Sequence, residues 1–132
     1  PIGVRACPDL AHAYMYSTAP LMFPGEWEKR HAALTQRVKL FRWGGDCYAY
    51  GLLASGHVDL VVENSLKLYD FAALVPVIKG AGGLITDWQG SELDMNSDGS
   101  VLAAGDPATH RAASAVLNGD DSSAPAKPRQ LG

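Results

Sequence analysis

Trp43-Gly44-Gly45-Asp46-Cys47-Tyr48, followed by Val58-Asp59-Leu60-Val61-Val62-Glu63 and then by Tyr69-Asp70-Phe71-Ala72-Ala73, is the stretch whose reading decides the fold. Val58 to Val62 is a nearly continuous apolar run, the mark of a strand buried on both faces. Such a strand needs helices above and below it, and the flanking segments carry helical spacing. The three blocks place Asp46, Glu63 and Asp70 at the ends of alternating helices and strands. In an open α/β sheet those ends border the crevice where ligands bind.

Working outward, residues 12–17 read as a first strand, closed by turn residues around Pro20 and Pro24. Residues 26–37 set Trp27, Ala32, Ala33 and Leu34 among charges and predict an amphipathic helix. Residues 38–43 return to strand, Gly44-Gly45 breaks it, and 46–55 form a helix stopped by Gly56. Asp70 opens a further helix over 70–81, in which Pro76 should cost a backbone hydrogen bond. Gly82-Gly83 ends that helix and residues 84–88 make the next strand. Residues 91–100 form a loop with turn chemistry in Asn96, Ser97, Asp98 and Gly99. Residues 101–104 are the last strand, and Asp106-Pro107 caps and starts a final helix to Leu117. The alternation predicts an α/β fold over 1–117, a layered sandwich with a mostly parallel sheet. Residues 118–128 lack large apolar side chains, and 118–132 read as a disordered tail.

The chain has 132 residues, enough for one domain with a real core. A hydrophobic content of 47%, a charged content of 19% and a net charge of -3 fit a soluble globular domain. They give no electrostatic footprint for nucleic acid or an anionic membrane. No apolar run approaches the length needed to cross a bilayer. Cys7 and Cys47 both read as packed, reduced thiols, which points to a cytoplasmic protein. Pro1 is not an initiator methionine and leads straight into ordered-looking sequence, so the chain is expected to be a piece of something longer.

Each candidate site residue has a plain structural reading beside a functional one. Asp70, just before an apolar helical run, can be an N-cap or a ligand to Mg²⁺, which takes one or two protein carboxylates. Glu63 can end its strand pointing into water or can accept a hydrogen bond from substrate. Gly44, Gly45 and Asp46 can form a tight turn capped by Asp46, or can offer free N–H groups at a helix start to an anion such as phosphate. Gly80-Ala81-Gly82-Gly83 lies at a helix C-terminus, the wrong polarity for phosphate, and reads as a helix stop. Asp94 to Gly99 matches the opening of a calcium loop, but Gly105 stands where that loop needs a bidentate Glu. His12, His31, His57 and His110 lack zinc-ligand spacing.

The block from Trp43 to Gly90 resembles the inositol monophosphatase superfamily of Mg²⁺-dependent phosphomonoesterases. Tyr69-Asp70-Phe71-Ala72-Ala73 through Gly80-Ala81-Gly82-Gly83 resembles its C-terminal signature, in which an aromatic residue precedes a metal-binding Asp. The blocks at 43–48 and 58–63, with Ile85-Thr86-Asp87-Trp88-Gln89-Gly90, are similar to the bacterial histidinol-phosphate phosphatase branch. The resemblance implies that Asp70 is a metal ligand, that Glu63 contacts the leaving-group side of the substrate, and that Gly44, Gly45 and Asp46 line the same pocket. A carboxylate at Asp46 suits a cationic substrate such as histidinol phosphate. Leu68, where the family has Pro, and Lys79, where it often has an acid, depart from the pattern without touching the metal role.

Family members are roughly twice this length. Their N-terminal half carries a Glu and an Asp-Pro-x-Asp-Gly-Thr/Ser motif, and no such motif occurs here. The resemblance therefore implies the C-terminal half of an inositol-monophosphatase-like fold, whose partner is the N-terminal half of the same enzyme. The implied reaction is metal-assisted hydrolysis of a small phosphate ester, with the chain alone inactive. An inositol phosphate or another small phosphomonoester is the alternative substrate, and a non-catalytic binding or scaffold module is the alternative outside enzymes. A homodimer is left open.

Overall fold

The computed structural model describes residues 3–119; part of the expected tail, 120–132, lies outside them. The strands are β1 (Tyr14–Tyr16), β2 (Leu40–Arg42), β3 (Leu60–Glu63), β4 (Leu84–Thr86) and β5 (Val101–Ala104), arranged as one sheet in the order β2-β1-β3-β5-β4. The predicted apolar strand is thus the sheet's centre, and all four residues of β3 are buried. Met15 of β1 faces Phe41 and Leu60 across parallel ladders. β5 runs antiparallel to both its neighbours, with Leu102 opposite Val62 and Thr86. Four strands therefore share one direction and β5 opposes them.

Connection chemistry explains that single reversal. α1 (Glu26–Thr35) joins β1 to β2, and α2 (Asp46–Ala54) joins β2 to β3. α3 (Leu68–Phe71) and α4 (Leu74–Gly80) lie between β3 and β4. Parallel strands of one sheet need such crossovers. The segment from Asp87 to Ser100 contains no helix, and the chain returns antiparallel as a long hairpin.

Side-chain alternation splits the core into two layers. Leu60, Val62, Leu102 and Ala104 pack with Leu34 of α1 and with Ala113 and Leu117 of α5 (Pro107–Leu117). Val61, Val101 and Ala103 pack on the other face with Ala49, Tyr50 and Leu53 of α2 and Ile78 of α4. A sheet covered on both sides has no wet face, so β3 and β5 read as unbroken apolar runs. By the same alternation Glu63 falls on the α2 side, with Val61.

Trp88 is fully buried and its indole N–H reaches the carbonyls of Glu63 and Val101 at 3.1 and 3.2 Å. It holds β3 and β5 together just past the ladder. Asp106 caps α5 as expected, accepting the Ala108 N–H at 2.9 Å, and its other oxygen takes the Cys7 N–H at 2.8 Å.

Three local expectations are tested by these elements, and two are corrected. The single helix expected over 70–81 is broken in two, with α4 restarting at Leu74. Pro76 then occupies the third position of α4, where the N–H it lacks has no intrahelical acceptor to lose. The proline explains the restart and costs no hydrogen bond. Cys47 is exposed; only Cys7 is packed. The helix stop at Gly82-Gly83 holds: their N–H groups return to Lys79 and Ile78 at 3.0 and 2.9 Å, and Gly82 sits at φ +93. That bond pair closes a helix C-terminus with a left-handed residue, a job glycine does without strain.

Candidate functional site

The C-terminal ends of β1, β2 and β3 lie side by side, and three segments meet there. The dipeptide Ser17-Thr18, which follows β1, is their hub. Its two carbonyls accept the N–H groups of Gly45 (3.2 Å) and Gly44 (2.9 Å), from the turn after β2. The Thr18 N–H donates to Glu63 Oε2 at 2.8 Å, and the Ser17 hydroxyl donates to the Val62 carbonyl at 2.6 Å. Since that hydroxyl has one proton, His31 Nε2 at 2.9 Å must be the donor to Ser17 Oγ.

Gly45 has no room for a side chain: a Cβ there would lie 2.7 Å from that of Ala49 and 3.1 Å from Tyr16 Cδ2. The turn after β2 thus approaches β1 and α2 as closely as backbone allows. The N–H groups of Gly44 and Gly45 are consumed in holding that turn, so they are not the free anion donors the sequence suggested. Just beyond them, the N–H groups of the first turn of α2, from Asp46 to Tyr48, have no recorded partner among the described residues.

Asp46 does not cap α2. It occupies the first helical position with φ 49, exposed, and its carboxylate accepts no recorded hydrogen bond among the described residues. Aspartate tolerates that left-handed backbone better than most residues. Its charge lies close enough to Glu63 to oppose ionisation there.

Glu63 does not end its strand in water. It is 3% exposed, with Oε1 3.4 Å from the Tyr50 hydroxyl and Oε2 on the Thr18 N–H. Among the described residues no Lys, Arg or His forms an ion pair with it. Burial pushes its carboxyl above the ordinary carboxylate range, against the pull of the Thr18 and Tyr50 hydrogen bonds, and Asp46 adds to the upward push. Burial also raises the Tyr50 phenol, with the Glu63 charge second. The same cause lowers His31 to about 4, so its ring is neutral.

Asp70 lies on α3, seven residues beyond Glu63 and exposed. It is not the N-cap. From the third position its Oδ2 reaches back to the Lys67 N–H at 2.8 Å, the carboxylate half of a capping box. One carboxylate oxygen is left to face outward. Among the described residues no group of three or more His, Cys, Asp or Glu side chains could hold a metal. The structure thus joins Gly44, Gly45, Asp46 and Glu63 around Ser17-Thr18, and sets Asp70 on the adjoining helix without a recorded contact to them.

Sequence reasoning missed Ser17, Thr18, His31 and Tyr50. Thr18 acts through its backbone N–H, which no residue type announces. Tyr50 had a signal: it stands four residues after Asp46, on the same face of α2. His31 falls in step with Trp27 and Leu34 on the buried stripe of α1 and looks like any core position.

The comparisons with known proteins bear on the family and the fold. The model of the inositol monophosphatase family matches residues 5–119. The bifunctional phosphatase IMPL2, chloroplastic, of Arabidopsis thaliana is 50% identical over 119 residues, 85% of this chain and 34% of that protein. A histidinol-phosphatase of Mycobacterium tuberculosis is 39% identical over 62 residues, 47% of this chain and 24% of that protein. An inositol monophosphatase from Zymomonas mobilis superposes with a TM-score of 0.86 at 47% identity, covering 89% of this chain and 46% of that one. The matched part of the chain spans between 24% and 46% of the length of these relatives. Fold and sequence converge, and the chain belongs to the inositol monophosphatase family, of whose fold it forms the C-terminal half.

Proposed function

We propose that the protein carrying this chain is a Mg²⁺-dependent phosphomonoesterase that hydrolyses L-histidinol phosphate to histidinol and phosphate. One observation carries the reading. Glu63 is a buried carboxylate with no counter-cation among the described residues, and the free Asp46 carboxylate stands beside it. A buried charge is costly until it is paired. A leaving group bringing an ammonium or an imidazole supplies the missing donors.

Asp70 suits the metal as one hard oxygen donor of a shared shell, since Mg²⁺ completes its octahedron with waters and substrate phosphate. Bound there, the ion would neutralise charge on the phosphate and lower the pKa of a water. This chain's residues do the rest of the work on its side of the crevice. Glu63 accepts from the leaving group, Asp46 attracts its positive charge, and Ser17-Thr18 keeps Glu63 and the Gly44-Gly45 turn in register. The remaining ligands come, in this reading, from the family's Glu and Asp-Pro-x-Asp-Gly-Thr/Ser segment. The 132-residue chain by itself is therefore expected to be inactive; Mg²⁺-dependent phosphate release by it would overturn that expectation. We place the protein in the cytoplasm, a reducing compartment suited to its free thiols.

The test compares phosphate release from histidinol phosphate and inositol 1-phosphate by the full-length enzyme and its Asp46→Ala variant. A loss of about tenfold to a hundredfold confined to the cationic substrate supports the reading. Equal losses count against it. The alternative reading, a neutral polyol phosphate as substrate, is favoured by the identity with the Zymomonas mobilis protein. Preference of the wild type for inositol 1-phosphate would select it.

A further inference from the structure

Tyr50 is 1% exposed, and phenylalanine would fill its place in the α2 layer equally well. A buried hydroxyl is costly unless it is bonded. Among the described residues its one recorded partner is Glu63, itself buried and without a cation. Thr18 anchors the other carboxylate oxygen. Each oxygen then keeps a lone pair for an incoming donor, and neither can swing away.

We propose that Tyr50 is a positioning residue: its hydroxyl and the Thr18 N–H together aim Glu63 at the leaving group. The inference rests on the substrate reading above and deepens it, since it assigns Tyr50 a share of the selectivity for a donor-bearing leaving group. The titratable groups facing Glu63 are Tyr50 and Asp46, both from α2. β5 opposes it with apolar Val101, and the segment after β1 contributes the Thr18 hydrogen bonds. Tyr50 therefore favours the ionised carboxylate, Asp46 disfavours it, and removing the phenol tips the balance toward the acid form. At 3.4 Å the bond is long for an O–H donor, as contacts to a reacting group commonly are before substrate tightens them.

The test uses the full-length enzyme with Tyr50→Phe, Glu63→Gln and the double variant. For Tyr50→Phe, kcat/KM on histidinol phosphate falls by on the order of tenfold. The acidic limb of its pH profile moves to higher pH. On p-nitrophenyl phosphate, whose leaving group carries no donor, the loss is much smaller. Adding Tyr50→Phe to Glu63→Gln brings no further loss, as expected of two residues acting as one unit. Equal losses on both substrates, an unmoved acidic limb, or a full extra loss in the double variant would each overturn the proposal. A ¹³C-carboxyl titration of Glu63, assigned through Glu63→Gln, needs no substrate. A higher midpoint in Tyr50→Phe supports the assignment and an unchanged one removes it. If the wild type leaves histidinol phosphate intact, the substrate reading fails, and the titration still decides what Tyr50 does to Glu63.

Discussion

β3 has a buried carboxylate at each end, and the two are built in opposite ways. Asp59, one residue before the strand, is 1% exposed and fully matched. Arg5 grips it with Nε and Nη2 at 2.8 and 2.7 Å, and the Tyr14 N–H adds a third donor at 2.8 Å. Glu63, the last residue of the strand, is also buried but among the described residues receives only the Thr18 N–H and the distant Tyr50 hydroxyl. Asp59 clasps the N-terminal segment to the sheet with its charge answered by Arg5. Glu63 is held in place with its charge unanswered. The contrast is what the proposed function rests on, because a fold gains nothing from an uncompensated buried carboxylate.

Breaking the matched end has the largest effect. Asp59→Ala leaves Arg5 without its partner and the Tyr14 N–H orphaned, and costs about 3 kcal/mol in urea unfolding. The Arg5 side chain is 38% exposed, so water moderates the loss. Because Asp59 lies at the opposite end of β3 from Glu63, kcat/KM of the folded full-length variant should change little. A collapse of kcat/KM at unchanged stability would erase the distinction between the two ends.

Acid probes the Glu63 end next, through the hub that holds it. His31 packs against Phe23, Phe41 and Trp43 with ring centroids 4.0, 5.2 and 5.0 Å away, and donates to Ser17. Its folded-state pKa is lowered from 6.5 to about 4, so the folded chain binds fewer protons than the unfolded one between those values. Stability is therefore present above pH 6.5 and is lost as pH falls toward 4, by up to about 3 kcal/mol. Burial lowers His110, whose Nε2 lies 2.8 Å from the Thr86 hydroxyl, in the same direction. Thermal unfolding at pH 7 and pH 4.5 checks the sign, and His31→Phe should flatten the slope. An unaltered slope in that variant would show that His31 is not its source.

Neutralising the unmatched end has the smallest effect on stability and the opposite sign. Glu63 has a raised carboxyl, so it favours the fold at low pH and loses that contribution as pH rises through its folded-state value. Glu63→Gln keeps an acceptor for Thr18, removes the charge, and should raise stability in urea at pH 7 by about 1 kcal/mol or less. The gain should vanish at pH 3, where both forms are neutral. Destabilisation at pH 7 would mean that Glu63 is compensated after all and belongs with Asp59.

The period of the apolar residues and the punctuation by Gly, Pro and Asp made most of the fold legible. Both are local signals, written within a few residues of what they specify. The cap at Asp106-Pro107 appears where the sequence places it, the run at 58–62 yields β3 at Leu60–Glu63, and Gly82-Gly83 closes α4, which ends at Gly80. The break between α3 and α4 was not legible, because a proline inside one long helix and a proline in the first turn of a new helix leave the same local pattern.

Sequence by itself determined the family, the layered α/β architecture and the short list Gly44, Gly45, Asp46, Glu63 and Asp70. Tertiary structure decided what most of these groups have left to give. It spent the Gly44 and Gly45 N–H groups on the carbonyls of Thr18 and Ser17, and matched Asp59 with Arg5 while leaving Glu63 without a cation among the described residues. Residue type fixes how many donors and acceptors a group carries. Which of them are already satisfied depends on residues tens of positions away that only folding brings within about 3 Å.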